Sequence, residues 1–236
     1  MRVNLRKLVL GGFALATLIY LFSTEAFYED PRLQSAWSLP LSGKIIFLDP
    51  GHGGMDGGAV SREGLVEKEV ALAISIYLRD LLQQAGALVL MTRETDMDLA
   101  TEEDRRLGRS KVEDLKNRIN QINTSDADFL ISIHLNSIPS PRWRGAQTFY
   151  HPEKEENRLM AELIQEELIQ QLQNTTRKAR ANQDIFILRH ANLPSVLVEV
   201  GFLSNPIEAD LLATADYQKK VAAAIYTGII RYYSNE

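Results

Sequence analysis

Three polar residues stand out because each ends, follows or interrupts an apolar run that is typical of a buried strand. His52 lies in a glycine-rich loop over residues 49–59, directly after the first such run. His134 ends a second run, and Glu199 interrupts a third. Open α/β sheets place their sites at the carboxyl ends of parallel strands, so we expect these side chains to meet at one edge of a sheet. Two imidazoles and a carboxylate there favour metal binding and acid–base chemistry.

Each of these residues also has a simpler interpretation. The glycine-rich loop could cradle a phosphate, but it has neither the G-x-G-x-x-G nor the G-K-[ST] pattern. His52 could form a hydrogen bond with the backbone of its turn, and His134 could form one with a neighbouring carbonyl. Glu199 could belong to a structural ion pair. Strand alternation puts Ser132, His134 and Asn136 on one face, and a polar face on an apolar strand is costly unless it is satisfied or used. A shared edge for the three residues therefore favours a functional site.

A metal site of this kind needs a third ligand. Catalytic zinc sites typically use three protein ligands and leave one position for water. Glu67 and Glu69 both lie at the start of the first predicted helix, soon after the loop that carries His52. Glu69 would point about 200° away from Glu67 around that helix, so we predict Glu67 as the ligand. The alternative for Glu67 is a favourable interaction with the helix dipole.

Alternating apolar and amphipathic stretches from residue 44 onward predict the elements that carry these residues. We predict a single α/β domain with a twisted, mostly parallel sheet of about six strands, covered by helices on both faces. The predicted strands are residues 44–48, 87–92, 129–135, 146–150, 184–188 and 195–200. The predicted helices are residues 67–85, 111–123, 153–173 and 217–233, and the charged segment 94–110 is predicted to be a surface excursion.

The N-terminus has the pattern of a secretory signal. A positive leader precedes an apolar run over residues 8–22. About 15 helical residues span roughly 22 Å, short of a hydrocarbon core of roughly 30 Å. We predict that residues 1–22 are a signal peptide or an uncleaved signal anchor and that residues 23–43 are a linker. The alternative is that this apolar run forms a helix buried in the core of the protein. We expect an exported protein, secreted or anchored to the membrane by this segment.

Composition narrows the classes of partner. The 236-residue chain is 45% apolar, which suits one globular domain, and has a formal net charge of −5. This balance argues against a nucleic-acid binder, which would need a basic face. The absence of cysteine excludes thiolate ligands, thiolate nucleophiles and a disulfide framework. No wall-binding repeat is recognisable, so we also expect a protein partner or a membrane tether that localises the chain.

Four motifs occur in order between residue 44 and the C-terminus. They are Asp49-Pro-Gly-His-Gly-Gly-Met-Asp-Gly-Gly-Ala59, Glu67-Lys68, Ser132-Ile-His-Leu-Asn136 and Glu199-Val-Gly-Phe-Leu-Ser-Asn205. Together they resemble the zinc-dependent N-acetylmuramoyl-L-alanine amidases of the amidase 3 type. Three further segments resemble the germination-specific branch from spore-forming bacteria. These are Trp37-Ser-Leu-Pro-Leu-Ser-Gly-Lys44, Gly145-Ala-Gln-Thr-Phe-Tyr150 and Asn174-Thr-Thr-Arg-Lys-Ala179.

The resemblance implies a complete assignment of the site. It implies that His52, Glu67 and His134 bind one zinc ion per chain, that Glu199 is catalytic, and that residues 44–236 form the catalytic domain. The implied reaction is hydrolysis of the amide between the lactyl group of N-acetylmuramic acid and L-alanine in peptidoglycan. The finer resemblance implies spore cortex as substrate and a step toward muramic δ-lactam.

Other residues receive supporting roles on this interpretation. Asp49 and Asp56 would fix an imidazole tautomer from behind the ligands. Asn136 would bond substrate or a ligand, and Arg93 would meet a stem-peptide carboxylate or form a surface ion pair. Peptidoglycan, a protein that activates or localises the enzyme, and the membrane are the expected partners. Two alternatives stay open: a zinc peptidase that acts within stem peptides, and a non-catalytic wall-binding or scaffold protein.

Overall fold

The computed structural model describes residues 15–20 and 39–234. The chain divides into two compact units, Met1–Leu39 and Pro40–Glu236. In the first unit, residues 15–20 are helical. Among the described residues, no helix has both the length and the apolar character needed to cross a membrane. Most of the predicted signal segment and linker lies outside the described residues, so their assignment stays a prediction.

The second unit is built on a six-stranded sheet in the order β2-β1-β3-β6-β4-β5. The strands are β1 (Ile45–Pro50), β2 (Leu88–Met91), β3 (Phe129–Asn136), β4 (Gln147–Tyr150), β5 (Arg180–Ala181) and β6 (Ser195–Phe202). Strands β2, β1, β3 and β6 are parallel, while β4 runs antiparallel to β6 and pairs in parallel with β5. The predicted mostly parallel α/β sheet is therefore confirmed.

Within its described residues, the second unit has seven α-helices. They are α1 (Glu67–Gln84), α2 (Glu102–Arg106), α3 (Ser110–Asn123), α4 (Glu155–Leu172), α5 (Phe186–His190), α6 (Pro206–Leu212) and α7 (Ala215–Ser234). In α1, Val70, Ile74 and Leu78 recur at helical spacing and are fully or almost fully buried. The helix ends before Gly86, which adopts the left-handed conformation with φ 96°.

The two faces of the sheet pack against different helices. Alternate residues of β3, among them Ile131 and Ile133, join the larger apolar cluster with α1, α4 and α7. Leu130 points the other way, into a smaller cluster with residues of α3 and α5. Strand alternation then puts Ser132 and His134 on this second face, toward the carboxyl end of the strand. The polar residues of the sheet are thus gathered on the less heavily covered face.

The prediction of a strand over residues 184–188 is wrong. This segment begins with a turn, because the Asn182 side chain accepts hydrogen bonds from the backbone N–H groups of Asp184 and Ile185. The chain then forms the short helix α5, which buries Ile187 and Leu188 in the smaller cluster. The edge strand is instead the two-residue β5. A short apolar run fits a strand and a buried helical turn equally well, so periodicity could not separate them.

Two further short helices were not predicted. Helix α2 lies inside the charged segment 94–110, where Thr101 and Asp104 form a reciprocal capping box. Helix α6 begins after Asn205, whose side chain accepts a hydrogen bond from the Glu208 N–H, with Pro206 in the first turn. Local capping accounts for the start of both helices.

Candidate metal centre and active site

The loop after β1 presents His52 in an unusual backbone conformation. His52 has φ 60°, in the left-handed region that residues other than glycine seldom adopt. Two buried guanidinium groups hold this loop by its carbonyl oxygens. Arg93 donates to the carbonyls of Pro50, Gly51 and His52, and Arg118 donates to those of Pro50 and His52. These bonds supply the tertiary support that such a strained position requires.

Arg118 is itself held by two buried carboxylates. It is 2% exposed and lies 2.8 Å from oxygens of both Asp49 and Asp114. Asp49 also accepts hydrogen bonds from Ser132 at 2.6 Å and Thr92 at 2.8 Å. Burial alone would raise the pKa of Asp49, but Arg118 and Ser132 outweigh it and hold that pKa below its ordinary value. Among its described hydrogen bonds Asp49 contacts no imidazole, which corrects the expectation that it fixes a tautomer.

Glu67 lies between the two histidines. Its Oε1 is 3.2 Å from Nε2 of His52 and 3.0 Å from Nδ1 of His134. The same oxygen accepts a hydrogen bond from the Leu135 N–H at 2.9 Å, and Oε2 accepts one from the Ala59 N–H at 2.8 Å. The ligand atoms of the three side chains all lie within 4.8 Å of one another. The structure thus brings the three predicted ligands together from a loop, a helix start and a strand end.

The protonation states of this cluster follow from its contacts. Burial would raise the pKa of Glu67, but hydrogen bonds with His134 and His52 hold it well below its ordinary value. Burial would lower the pKa of His52, yet Glu67 and Asp56 raise it overall. Glu67 is therefore an ionised, 3% exposed carboxylate that faces two imidazoles, an arrangement that favours a cation.

The donor set fits zinc. Ligand atoms bonded at about 2.0–2.2 Å to a tetrahedral ion lie roughly 3.3 Å apart, close to the two imidazole–carboxylate distances here. Nδ1 of His52 lies 2.8 Å from Oδ2 of Asp56, which leaves Nε2 facing Glu67. A carboxylate behind a ligating imidazole is the usual second contact of such a ligand, and this contact supports the role expected of Asp56, which stays a prediction.

Gly58 allows the backbone to approach this cluster. It has φ 70°, and a Cβ atom there would lie 2.5 Å from Oε2 of Glu67 and 2.6 Å from Cδ2 of His52. Any side chain at this position would displace both residues. One glycine of the loop is therefore required by close approach as well as by conformation.

Glu199 occupies the neighbouring strand. In the β3–β6 pair it is the register partner of His134. Its Oε2 is buried and has no hydrogen-bond partner among the described residues. Burial raises the pKa of Glu199 to about 7. No described cation pairs with it, which argues against a structural ion pair, and a carboxyl that titrates near neutrality can both accept and return a proton.

The cluster opens into a cleft on the face covered by α3 and α5. A cavity of about 210 Å³ is lined by His52 and His134 together with Lys111, Leu115 and Phe186. The lining thus combines the two imidazoles with apolar side chains and charged groups, among them Lys111 and Asp56. The two histidines are accessible to a substrate from this side.

Two further predicted residues have different outcomes. Asn136 lies at the end of β3, partly exposed, and its role stays a prediction. Arg93 is 3% exposed, and besides the loop carbonyls it donates to those of Thr95 and Lys68. This geometry corrects the expectation that Arg93 meets a stem-peptide carboxylate or forms a surface pair. The sequence-based reasoning missed Arg118, although Asp114 and Arg118 have the i, i+4 spacing of a helical ion pair.

Comparison with known proteins gives concordant results. The amidase 3 family model, described as N-acetylmuramoyl-L-alanine amidase, matches residues 46–231. The germination-specific N-acetylmuramoyl-L-alanine amidase of Bacillus subtilis is 50% identical over 231 residues, covering 98% of this chain and 97% of that protein. The CwlD amidase of Clostridioides difficile, solved in complex with the GerS lipoprotein, is 42% identical with a TM-score of 0.79, covering 82% of this chain and 100% of that one. AmiC2 of Nostoc punctiforme, also an N-acetylmuramoyl-L-alanine amidase, is 29% identical with a TM-score of 0.71, covering 82% of this chain and 99% of that one.

Proposed function

Since the chain belongs to the N-acetylmuramoyl-L-alanine amidases of the amidase 3 type, we propose that it hydrolyses the amide between the lactyl group of N-acetylmuramic acid and L-alanine with one zinc ion. His52, Glu67 and His134 hold the ion, and Glu199 moves the proton. The observation that carries this assignment is the position of Glu67 Oε1 between the two imidazoles, beside a strand whose Glu199 has a buried, unpartnered oxygen.

Each side chain has a separate task in the reaction. Zinc held by His52, Glu67 and His134 would lower the pKa of a bound water toward neutrality and would polarise the substrate carbonyl. Asp56 fixes the tautomer of His52, so that Nε2 is the ligating nitrogen. Glu199 accepts a proton from the attacking water and returns it to the departing amide nitrogen. Its pKa near neutrality suits both directions of transfer.

We propose spore cortex peptidoglycan as the substrate, in a step toward muramic δ-lactam. This rests on the B. subtilis relative, which is named germination-specific and is similar over nearly its whole length. Peptidoglycan lies outside the cytoplasmic membrane, so the protein acts there. Whether residues 1–22 are a cleaved signal peptide or an anchor is tested by N-terminal sequencing of protein recovered from cell fractions.

A protein partner is part of this proposal. The C. difficile relative was solved with a lipoprotein bound. We therefore propose that this chain also uses a protein that activates or localises it. To test the need for such a partner, turnover on insoluble cortex is measured with purified protein alone and with the same protein in spore extract. Equal rates would contradict the need for a partner.

Two measurements on purified protein test the zinc site and the reaction. Elemental analysis should give about one zinc ion per chain, which is lost when His52, Glu67 and His134 are all changed to Ala. The exposed His190 changed to Ala is the matched control and should keep the ion. Mass spectrometry of digested peptidoglycan should find free lactyl groups and new L-alanine N-termini.

Other outcomes separate the alternatives. Cleavage inside the stem peptide would identify a zinc peptidase. A zinc-loaded chain that binds peptidoglycan and releases no product would identify a wall-binding protein. Stoichiometric zinc in the triple variant would show that the ligands are assigned wrongly.

A further inference from the structure

A second cavity lies beyond β6, on the β4 side of the sheet. It is an open groove of about 600 Å³ between two loops, residues 142–144 before β4 and residues 173–177 after α4. We call it the basic groove, because Arg142, Arg144 and Arg177 all line it together with Trp143. None of its residues belongs to the metal centre, so the assigned catalytic roles do not explain it.

The arginines of the basic groove form no close ion pair among the described residues, although Arg177 and Arg144 interact electrostatically with Glu208. Across residues 39–234, no carboxylate lies within ion-pair distance of Arg142, Arg144 or Arg177. Arg142 and Arg144 are exposed, and Trp143 is 51% exposed. The guanidinium of Arg177 lies 5.6 Å from the centre of the Trp143 ring. Three unpaired cations around an exposed aromatic ring, in a chain with net charge −5, indicate a surface that recognises an anion.

The floor of the basic groove is fixed before any ligand arrives. Glu208, 3% exposed, accepts hydrogen bonds from the Gly145 N–H at 3.0 Å and from the Phe202 N–H at 2.9 Å. Asn174 donates to the same carboxylate at 3.0 Å. Gly145 has φ 94°, and a Cβ atom there would lie 2.7 Å from Thr175. The Glu208 carboxylate is thus engaged by backbone and amide donors, and it ties the two loops together.

The basic groove is continuous with the catalytic edge of the sheet. Nη1 of Arg177 lies 3.3 Å from Oε1 of Gln147. Gln147 is the register partner of Glu199 in the antiparallel β4–β6 pair, so the two side chains share one face. Neighbouring strands are about 4.8 Å apart, so Arg177, a residue of the groove, contacts the side chain that lies one strand spacing from Glu199. A substrate held at the metal centre can therefore extend into the groove.

We propose that the basic groove binds free carboxylates of the stem peptide, on the leaving-group side of the scissile amide. This inference rests on the proposed amidase function. In the intact substrate the lactyl carboxyl is part of the amide and the neighbouring sugars are neutral, so the peptide carries the fixed negative charge. Arg142 and Arg144 pair with these carboxylates, and Trp143 packs against the aliphatic parts of the peptide.

Two synthetic substrates test the proposal with the zinc-loaded full chain. One is an N-acetylmuramoyl tripeptide with free carboxylates, and the other is the same compound with every carboxylate amidated. The ratio of their kcat/KM values should favour the free acid. It should fall about 2- to 5-fold in Arg142→Gln and in Arg144→Gln, and about tenfold in the double variant. Arg62→Gln removes an exposed arginine outside the groove and should keep the wild-type ratio.

The outcomes distinguish this proposal from the function on which it rests. If the wild-type chain cleaves both substrates equally, or the double variant keeps the wild-type ratio, the groove proposal is wrong. A groove that serves a protein partner would give that second result. If the chain cleaves neither substrate, even in spore extract that supplies the proposed partner, the amidase function fails, and calorimetry with the free-acid tripeptide decides about the groove. Weaker binding in the double variant supports it, and equal binding overturns it.

Discussion

Glu67 and Glu199 are two carboxylates of one site in opposite environments. Both oxygens of Glu67 accept backbone hydrogen bonds, and the two imidazoles hold its pKa low. The Oε2 atom of Glu199 has no described partner, and burial raises its pKa to about 7. Environments that separate the pKa values of two acids also separate their roles. At the residue scale, this difference supports the proposed roles of Glu67 as a ligand that stays charged and of Glu199 as the group that moves the proton.

The first prediction concerns Glu199→Gln. Glutamine has nearly the same volume and still forms hydrogen bonds, but it cannot accept the proton of the water. We expect an unchanged thermal melt and normal zinc content, with turnover lower by about 10²- to 10⁴-fold. A variant that melts early but keeps near-normal turnover while folded would show that Glu199 is structural.

The second prediction concerns Asp49 in acid. Its pKa is lowered in the folded state, so the folded protein resists its protonation and the unfolded chain does not. The stabilisation it gives is present above its unfolded pKa of about 3.9 and is lost as the pH falls below that value. We expect Asp49→Asn to be less stable than wild type at neutral pH, with a difference that narrows below about pH 4. Urea unfolding at several pH values measures this, and a constant difference would contradict it.

At the scale of elements, Arg118 joins helix α3 to the loop after β1. The third prediction is that Arg118→Met destabilises the fold by roughly 3–5 kcal/mol, because Asp49 and Asp114 lose a buried cation. Urea titration measures the change. Arg158→Met is the matched control, since it removes an arginine whose ion pairs lie on the exposed side of α4, and its midpoint should barely move. Equal shifts of the urea midpoint in both variants would contradict the role of Arg118 in joining α3 to the loop after β1.

The elements that carry the metal ligands were predictable because their signals are local. Strand β3 alternates apolar and polar residues from Ile131 to Asn136, and α1 has apolar residues at helical spacing. The role of Arg118 was not predictable, because its contacts with Asp49 and His52 cross 69 and 66 residues of sequence. The role of Glu208 was not predictable either, because it accepts a hydrogen bond from the Gly145 N–H, a residue distant in sequence. Long-range contacts of charged side chains have no periodic pattern in sequence.

At the scale of the whole molecule, the candidate ligands come from three separate elements of the second unit. A loop, a helix start and a strand end must all be folded before the ion can bind. The fourth prediction is therefore that chelation of zinc lowers the melting temperature, because an ion that binds only the folded state stabilises it. Differential scanning calorimetry with and without chelator measures the shift. The triple ligand variant is the control and should melt at one temperature in both conditions.

The reversal of strand direction between β6 and β4 has a consequence for how such enzymes can diversify. Residues 137–146 connect β3 to β4, and they are anchored near both ends, by Ser204 to the Ile138 N–H and by Glu208 to the Gly145 N–H. The three candidate metal ligands all precede this connection in the chain. Insertions or exchanges between the two anchors can therefore reshape one of the two walls of the basic groove while the candidate ligands stay in place. On the proposed role of the groove, such changes would alter the choice of stem peptide without changing the residues that carry out hydrolysis.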